Sequence, residues 1–183
     1  ARLETTHAVT LVSLETLEEM PADTVEIVEG DEEGIRRLNG WGPLEVVRWK
    51  LKIGDVWTIP AVELALGEPQ STTILLTDAG RAEAGEQVAK LLADGQRVIA
   101  VDPYYFGESR IKSRDFLFAL FVSSVGDRPL GLQTSQLGAV ARWLSEDRKT
   151  GAVSLVAAGP RMSLVALTTA ALEDKAVASV RLH

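Results

Sequence analysis

The rhythm of apolar residues changes near residue 70. Before it, Val47, Trp49, Leu51 and Ile53 alternate with polar positions, Gly54-Asp55 offers a turn, and Val56, Thr58 and residues 62–66 resume in strand-forming types. A period of two predicts an antiparallel hairpin over residues 46–66. Pro60 has no N–H to give to a ladder, which predicts that the second arm is interrupted or lies at an edge. After residue 70, residues 72–76, 97–101, 152–157 and 176–182 are nearly continuous apolar runs. Such runs predict strands covered on both faces, as in a parallel sheet. Helical spacing fills the gaps between them. Ala84, Val88, Leu91 and Leu92 share one face ahead of a C-terminal cap at Gly95, and Leu137, Val140, Ala141 and Leu144 share another. Residues 164–172 are apolar on most sides and predict a buried helix. The alternation defines an α/β architecture: a mostly parallel sheet preceded by an antiparallel hairpin, with helices on both faces, hence a three-layer sandwich.

Two stretches read differently. Leu14, Leu17 and Met20 at spacing three predict a short helix that Pro21 ends, residues 24–28 a short strand, and residues 39–43 a loop. Asp31-Glu32-Glu33 reads as a solvated turn, because the spacing of a calcium loop is absent. Residues 1–45 are thus an N-terminal extension ahead of a domain over 46–183. Residues 115–122 hold three of the four phenylalanines. They predict a short helix packed over the sheet edge, with a lid or partner surface as the alternative.

Composition narrows the function classes. The chain has 183 residues, 46% hydrophobic and 25% charged, enough for one domain with a sizeable core. A net charge of -7 and a pI of about 4.9 argue against nucleic acid as a partner. With no cysteine, disulfides, thiolate zinc sites and cysteine nucleophiles are excluded. No apolar run reaches the roughly 18 residues of a membrane helix, so no membrane partner is expected. No phosphate-binding glycine loop follows a strand, and the histidines, His7 and His183, are far apart. No metal and no cofactor is expected.

Open α/β sheets place ligands beyond the C-terminal ends of their strands. The loops there read Thr77-Asp78-Ala79-Gly80-Arg81, Asp102-Pro103-Tyr104-Tyr105-Phe106-Gly107-Glu108-Ser109-Arg110 and Ala158-Gly159-Pro160-Arg161. Asp78, Arg81, Asp102 and Tyr104 are candidate ligand-loop residues, joined by Arg161. Turn geometry alone also favours Gly, Pro and Asp at such places. Asp78 and Asp102 would end adjacent strands as a carboxylate pair, although no cleft signal supports glycosidase chemistry.

The third of these loops carries a resemblance. A serine hydrolase sets its nucleophile on a tight strand-to-helix turn, G-x-S-x-G. Residues 153–167 have that shape, strand, turn and apolar helix, with Ala157-Ala158-Gly159-Pro160-Arg161 at the matching spacing. Residues 102–109 resemble the D-x-x-G-x-G-x-S loop of α/β-hydrolases, and residues 74–80 are similar to the strand and loop that supply an oxyanion-hole amide there. In their order these features resemble the acetyl-xylan-esterase-like and dienelactone-hydrolase-like branches over residues 46–183.

The departures carry as much weight. The nucleophile position is Gly159, which has no side chain. Pro160 lacks the N–H that an oxyanion hole would use. The family's acid and histidine follow two strands further on, and the chain ends at His183. The expectation is a truncated, degenerate fold whose elbow (Ala157, Gly159, Pro160, Arg161) is architectural: a non-catalytic structural or interaction module of a larger esterase-like protein. Its exposed sheet edge would meet other domains or a second copy. The alternative is a fragment of a carboxylic-ester hydrolase with its triad completed elsewhere. Ser163 and Ser109 are weak nucleophile candidates. Ser163 also reads as a residue capping or packing in the first helical turn, and Ser109 as a turn residue.

Overall fold

The computed structural model describes residues 9–15, 44–53, 57–111, 113 and 115–183. Strand β1 (Val9–Glu15) pairs antiparallel with β2 (Leu44–Ile53). β2 pairs antiparallel with β3 (Trp57–Leu66) over its full length, from Leu44↔Leu66 to Ile53↔Trp57. The predicted hairpin is therefore present; its Gly54-Asp55 turn lies outside the described residues. Leu14, expected to begin a helix, is in β1 instead. The other calls over residues 17–43, and His7, lie outside the described residues.

Pro60 does not interrupt β3, nor is β3 an edge. It lies between β2 and β5 (Gln96–Val101), an internal strand. The reason is local. The β3–β5 register begins at Ala61↔Val101, so residue 60 faces Asp102, just past the end of β5. The Asp102 amide donates to the Pro60 carbonyl at 3.2 Å. The return donor, a residue-60 N–H, does not exist, and the Ser109 hydroxyl donates to the Asp102 carbonyl instead, at 2.9 Å. The orphan acceptor is satisfied and the proline is tolerated.

The parallel half contains β4 (Ser71–Thr77), α1 (Gly85–Ala93), β5, α2 (Asp115–Ser124), α3 (Pro129–Arg142), β6 (Val153–Ala158), α4 (Pro160–Leu172) and β7 (Val177–Leu182). The sheet has seven strands in the order β1-β2-β3-β5-β4-β6-β7, with β5, β4, β6 and β7 mutually parallel. From β4 to β5 the chain moves one strand toward the hairpin; from β5 to β6 it steps back over β4 and continues outward. Right-handed crossovers in opposite directions leave their helices on opposite faces. Accordingly Val88, Leu91 and Leu92 of α1 pack with Val62, Leu64 and Val98 on one face. Leu137 and Val140 of α3 and Met162 and Val165 of α4 pack with Ile74, Ile99 and Leu155 on the other. The direction reverses between β4 and β6, and their C-terminal ends form the crevice where such sheets hold ligands.

Two packing expectations are corrected. α4 is buried along one stripe only, Met162, Val165, Ala166 and Thr169, while Leu164, Leu167 and Leu172 are at least half exposed. It covers one side of the sheet near its end, and beyond it β7 is an edge strand with mostly exposed residues. α2 forms where the phenylalanines predict a helix, yet Phe116, Leu120 and Phe121 stand well exposed rather than in the core. Among the described residues, no helix is long and apolar enough to cross a membrane.

Candidate functional site

Parallel pairing of β4 with β6 ends at Thr77↔Ala158. The Asp78 amide carries the ladder one step further by donating to the Ala158 carbonyl at 2.9 Å. Asp78 is thereby set beside Gly159, at the crevice. Its carboxylate caps α4 from 80-odd residues away: Oδ1 accepts the Met162 amide at 2.7 Å and Oδ2 the Arg161 amide at 3.2 Å. Arg161 Nε stands 3.6 Å from Oδ2. A carboxylate at a helix N-terminus faces the positive end of its dipole and takes amides that have no partner within the helix. Pro160, at the first helical position, has no N–H to offer, and the Ser163 amide bonds back to the Gly159 carbonyl at 3.0 Å. In this first turn, no backbone amide is left to meet a further ligand.

Gly159 itself has φ 97 and ψ 155, a conformation nearly confined to glycine. A Cβ placed there would lie 2.5 Å from Asp78 Cγ and 2.7 Å from its Cβ. Those separations are inside van der Waals contact, so Asp78 fills the space that a side chain at position 159 would need. The Gly159 amide donates to the His183 carbonyl, and the His183 amide to the Ala157 carbonyl. β7 thus holds the turn from the other side.

Asp102 organises a second, separate group. It is 2% exposed. Oδ1 accepts the Arg81 amide at 2.8 Å and Oδ2 the Glu108 amide at 2.9 Å. The Arg81 guanidinium pairs with both Asp102 and Glu108. A Cβ on Gly107, at φ 48, would fall 2.2 Å from the Asp102 carboxylate. This loop closes only around a glycine. Asp78 and Asp102 are therefore not a free carboxylate pair; each is tied to different amides. Arg81 is likewise engaged, by Asp102 and Glu108 of the loop after β5.

Tyr104 lies elsewhere again. Gln136 of α3 accepts its amide at 2.7 Å, and Gln133 donates to its carbonyl at 3.0 Å. Its ring meets Trp57 edge-on at 5.3 Å. The hydroxyls of Tyr104 and Tyr105 are both buried without a hydrogen-bond partner. Burial, and after it the neighbouring Tyr105, raises the Tyr104 phenol above its ordinary value. The two tyrosines, Phe106, Leu130 and Gln133 wall a cavity of about 270 Å³ that Arg161, Leu164 and Val165 close from α4. The Arg161 guanidinium lies over the Phe106 ring at 4.8 Å. Of the sequence candidates, the crevice brings together Asp78, Gly159 and Arg161, and the cavity shares Tyr104 and Arg161.

Ser163 sits half-buried in the first turn of α4, and Ser109 is bonded to the Asp102 carbonyl. Among the described residues, no hydrogen bond joins either hydroxyl to a histidine, and no cluster of three acids or histidines could hold a metal. A residue missed in the sequence is Glu63. It is 5% exposed on β3, accepts the Trp49 indole N–H at 2.8 Å, and meets Arg97 and Arg148. Only the pairing of three strands reveals it; an isolated acid within an apolar run was the available signal.

A hairpin followed by parallel strands, with helices on both faces and a sharp glycine turn into the helix after β6, is the α/β-hydrolase-like fold. Solved structures agree. A dienelactone hydrolase from Anabaena variabilis superposes with a TM-score of 0.55 at 17% identity, over 76% of this chain and 62% of its own. A cold-adapted esterase from an Arctic intertidal metagenomic library gives 0.58 at 17%, over 76% of this chain and 60% of its own. A protein from Bacteroides fragilis provisionally named acetyl xylan esterase gives 0.61 at 13%, over 94% of this chain and 47% of its own. The chain thus spans between about half and three fifths of the length of these structures. No family model and no curated protein matches it.

Proposed function

We propose that this chain is a non-catalytic α/β-hydrolase-like domain, a structural or interaction module of a larger esterase-like protein. One observation carries the reading: the Asp78 carboxylate occupies both the volume of a side chain at position 159 and the first-turn amides of α4. Acyl transfer needs a nucleophile and preorganised donors for the oxyanion at the same turn. Here an internal anion stands where both would act. The partner, in this reading, is further polypeptide of that larger protein. It packs where Leu164, Leu167 and Leu172 of α4 and Leu182 of β7 are exposed along one border of the sheet. The greater length of the superposed structures supports that choice of partner.

The competing reading is part of a carboxylic-ester hydrolase whose triad is completed elsewhere; the esterase names of the superposed structures favour it. The chain is incubated with a fluorophosphonate probe and a p-nitrophenyl ester series. The non-catalytic reading expects labelling and turnover no greater than those of a heat-denatured control. Stoichiometric labelling that disappears in Ser163→Ala or Ser109→Ala would overturn it.

A further inference from the structure

At the end of the sheet opposite the elbow, the N-terminal ends of β4 and β5 and the segment entering β6 enclose a pocket of about 150 Å³. Ser71 and Thr72 come from β4, Arg97 from β5, and Arg148, Lys149 and Thr150 from the turn before β6. Every ionisable residue lining the pocket is a cation. The chain as a whole is acidic, at net -7, so this concentration runs against its overall balance.

The acid that meets these cations is Glu63, behind the pocket wall, and it serves two of them. The Arg148 terminal nitrogens face its two oxygens at 3.3 Å each. Arg97 Nε stands 3.2 Å from Oε1 but forms no hydrogen bond there. One carboxylate against two guanidinium groups and the Lys149 ammonium leaves an excess of positive charge at the pocket. Arg148 is held in place from the other side, its guanidinium 4.9 Å from the Trp49 ring and 5.5 Å from that of Trp143. Those indoles stack edge to face at 5.2 Å. Arg148 is thus held in place before any ligand arrives, which lowers the ordering cost of binding.

We propose that this pocket binds a phosphate-type oxyanion. The Lys149 ammonium and the Arg97 guanidinium are the cations left to meet a tetrahedral oxyanion, while Arg148, its fork on Glu63, adds charge at the wall. The site is independent of the elbow.

The test uses the intact chain at constant ionic strength, with sodium chloride as the reference. One arm is titrated with inorganic phosphate and the other with glycerol phosphate. Tryptophan emission reports on Arg148, which lies over Trp49 and Trp143. A saturable change in either arm is expected, weakened at least about tenfold in Lys149→Gln, the worth of one charge-assisted hydrogen bond. Lys149 is exposed, so the urea midpoint of this variant should match the parent. Tighter binding of the ester identifies the phosphoryl group of an organic ligand; equal or tighter binding of phosphate identifies the free ion. No saturable change in either arm, or binding undiminished in both Lys149→Gln and Arg97→Gln, would overturn the proposal.

Discussion

Asp78 and Asp102 end neighbouring parallel strands, and each accepts two backbone amides through its two carboxylate oxygens. Their roles nevertheless differ. Asp102 is 2% exposed and binds one donor from its own loop, Glu108, and one from the loop after β4, Arg81. Asp78 is 21% exposed and reaches across the crevice to a helix that follows a different strand. The first carboxylate locks a loop; the second fills a site. Burial and the kind of element held, two loops against a helix N-terminus, rather than the number of hydrogen bonds, distinguish them.

That difference can be broken by mutation. Asp102→Ala should have the largest effect. It leaves the Arg81 guanidinium, whose side chain is 12% exposed, with only the exposed Glu108, and strands two loop amides. Removing one partner of a buried ion pair costs about 3–5 kcal/mol, read as a lower urea midpoint. Asp78→Ala removes a helix cap in a more open place and should cost about 1 kcal/mol. Equal losses for the two variants would erase the proposed distinction. Tyr104→Phe should change least. Its hydroxyl is buried without a partner, so deletion should be neutral or stabilising by up to about 1 kcal/mol.

Tyr104 also gives a pH test. Its folded value is raised above 10.0. Below that value both states hold the proton and this tyrosine makes no pH-dependent difference. As pH rises through the interval above it, the unfolded chain releases the proton first and stability falls. Tyr104→Phe should flatten that alkaline limb in urea titrations. An unchanged slope would show that another group sets it.

The strands were legible because their side chains obey a simple period. The alternation over Val47, Trp49, Leu51 and Ile53 and the apolar runs of β4, β5 and β6 correspond to observed pairing. Pro60 misled because its missing donor is replaced by the Ser109 hydroxyl, some 50 residues away in the chain. Apolar content likewise did not tell which faces of α2 and α4 are covered, since burial depends on what lies opposite. The glycine at the elbow was readable as an absent side chain. Its occupant was not, because setting Asp78 against Gly159 requires the register of β4 on β6. The same limit hid Glu63, whose partners come from β2, β5 and the turn before β6.

The central claim is that Asp78 fills the space of a side chain at position 159. A double-mutant cycle on urea stability tests it, using Gly159→Ala, Asp78→Gly and the double variant. The positive φ at Gly159 should cost about 1–3 kcal/mol in either background and therefore cancels. The steric conflict with Asp78 does not cancel. The account predicts that Gly159→Ala is less destabilising, by at least about 1 kcal/mol, once Asp78 is glycine. Strictly additive losses would contradict it.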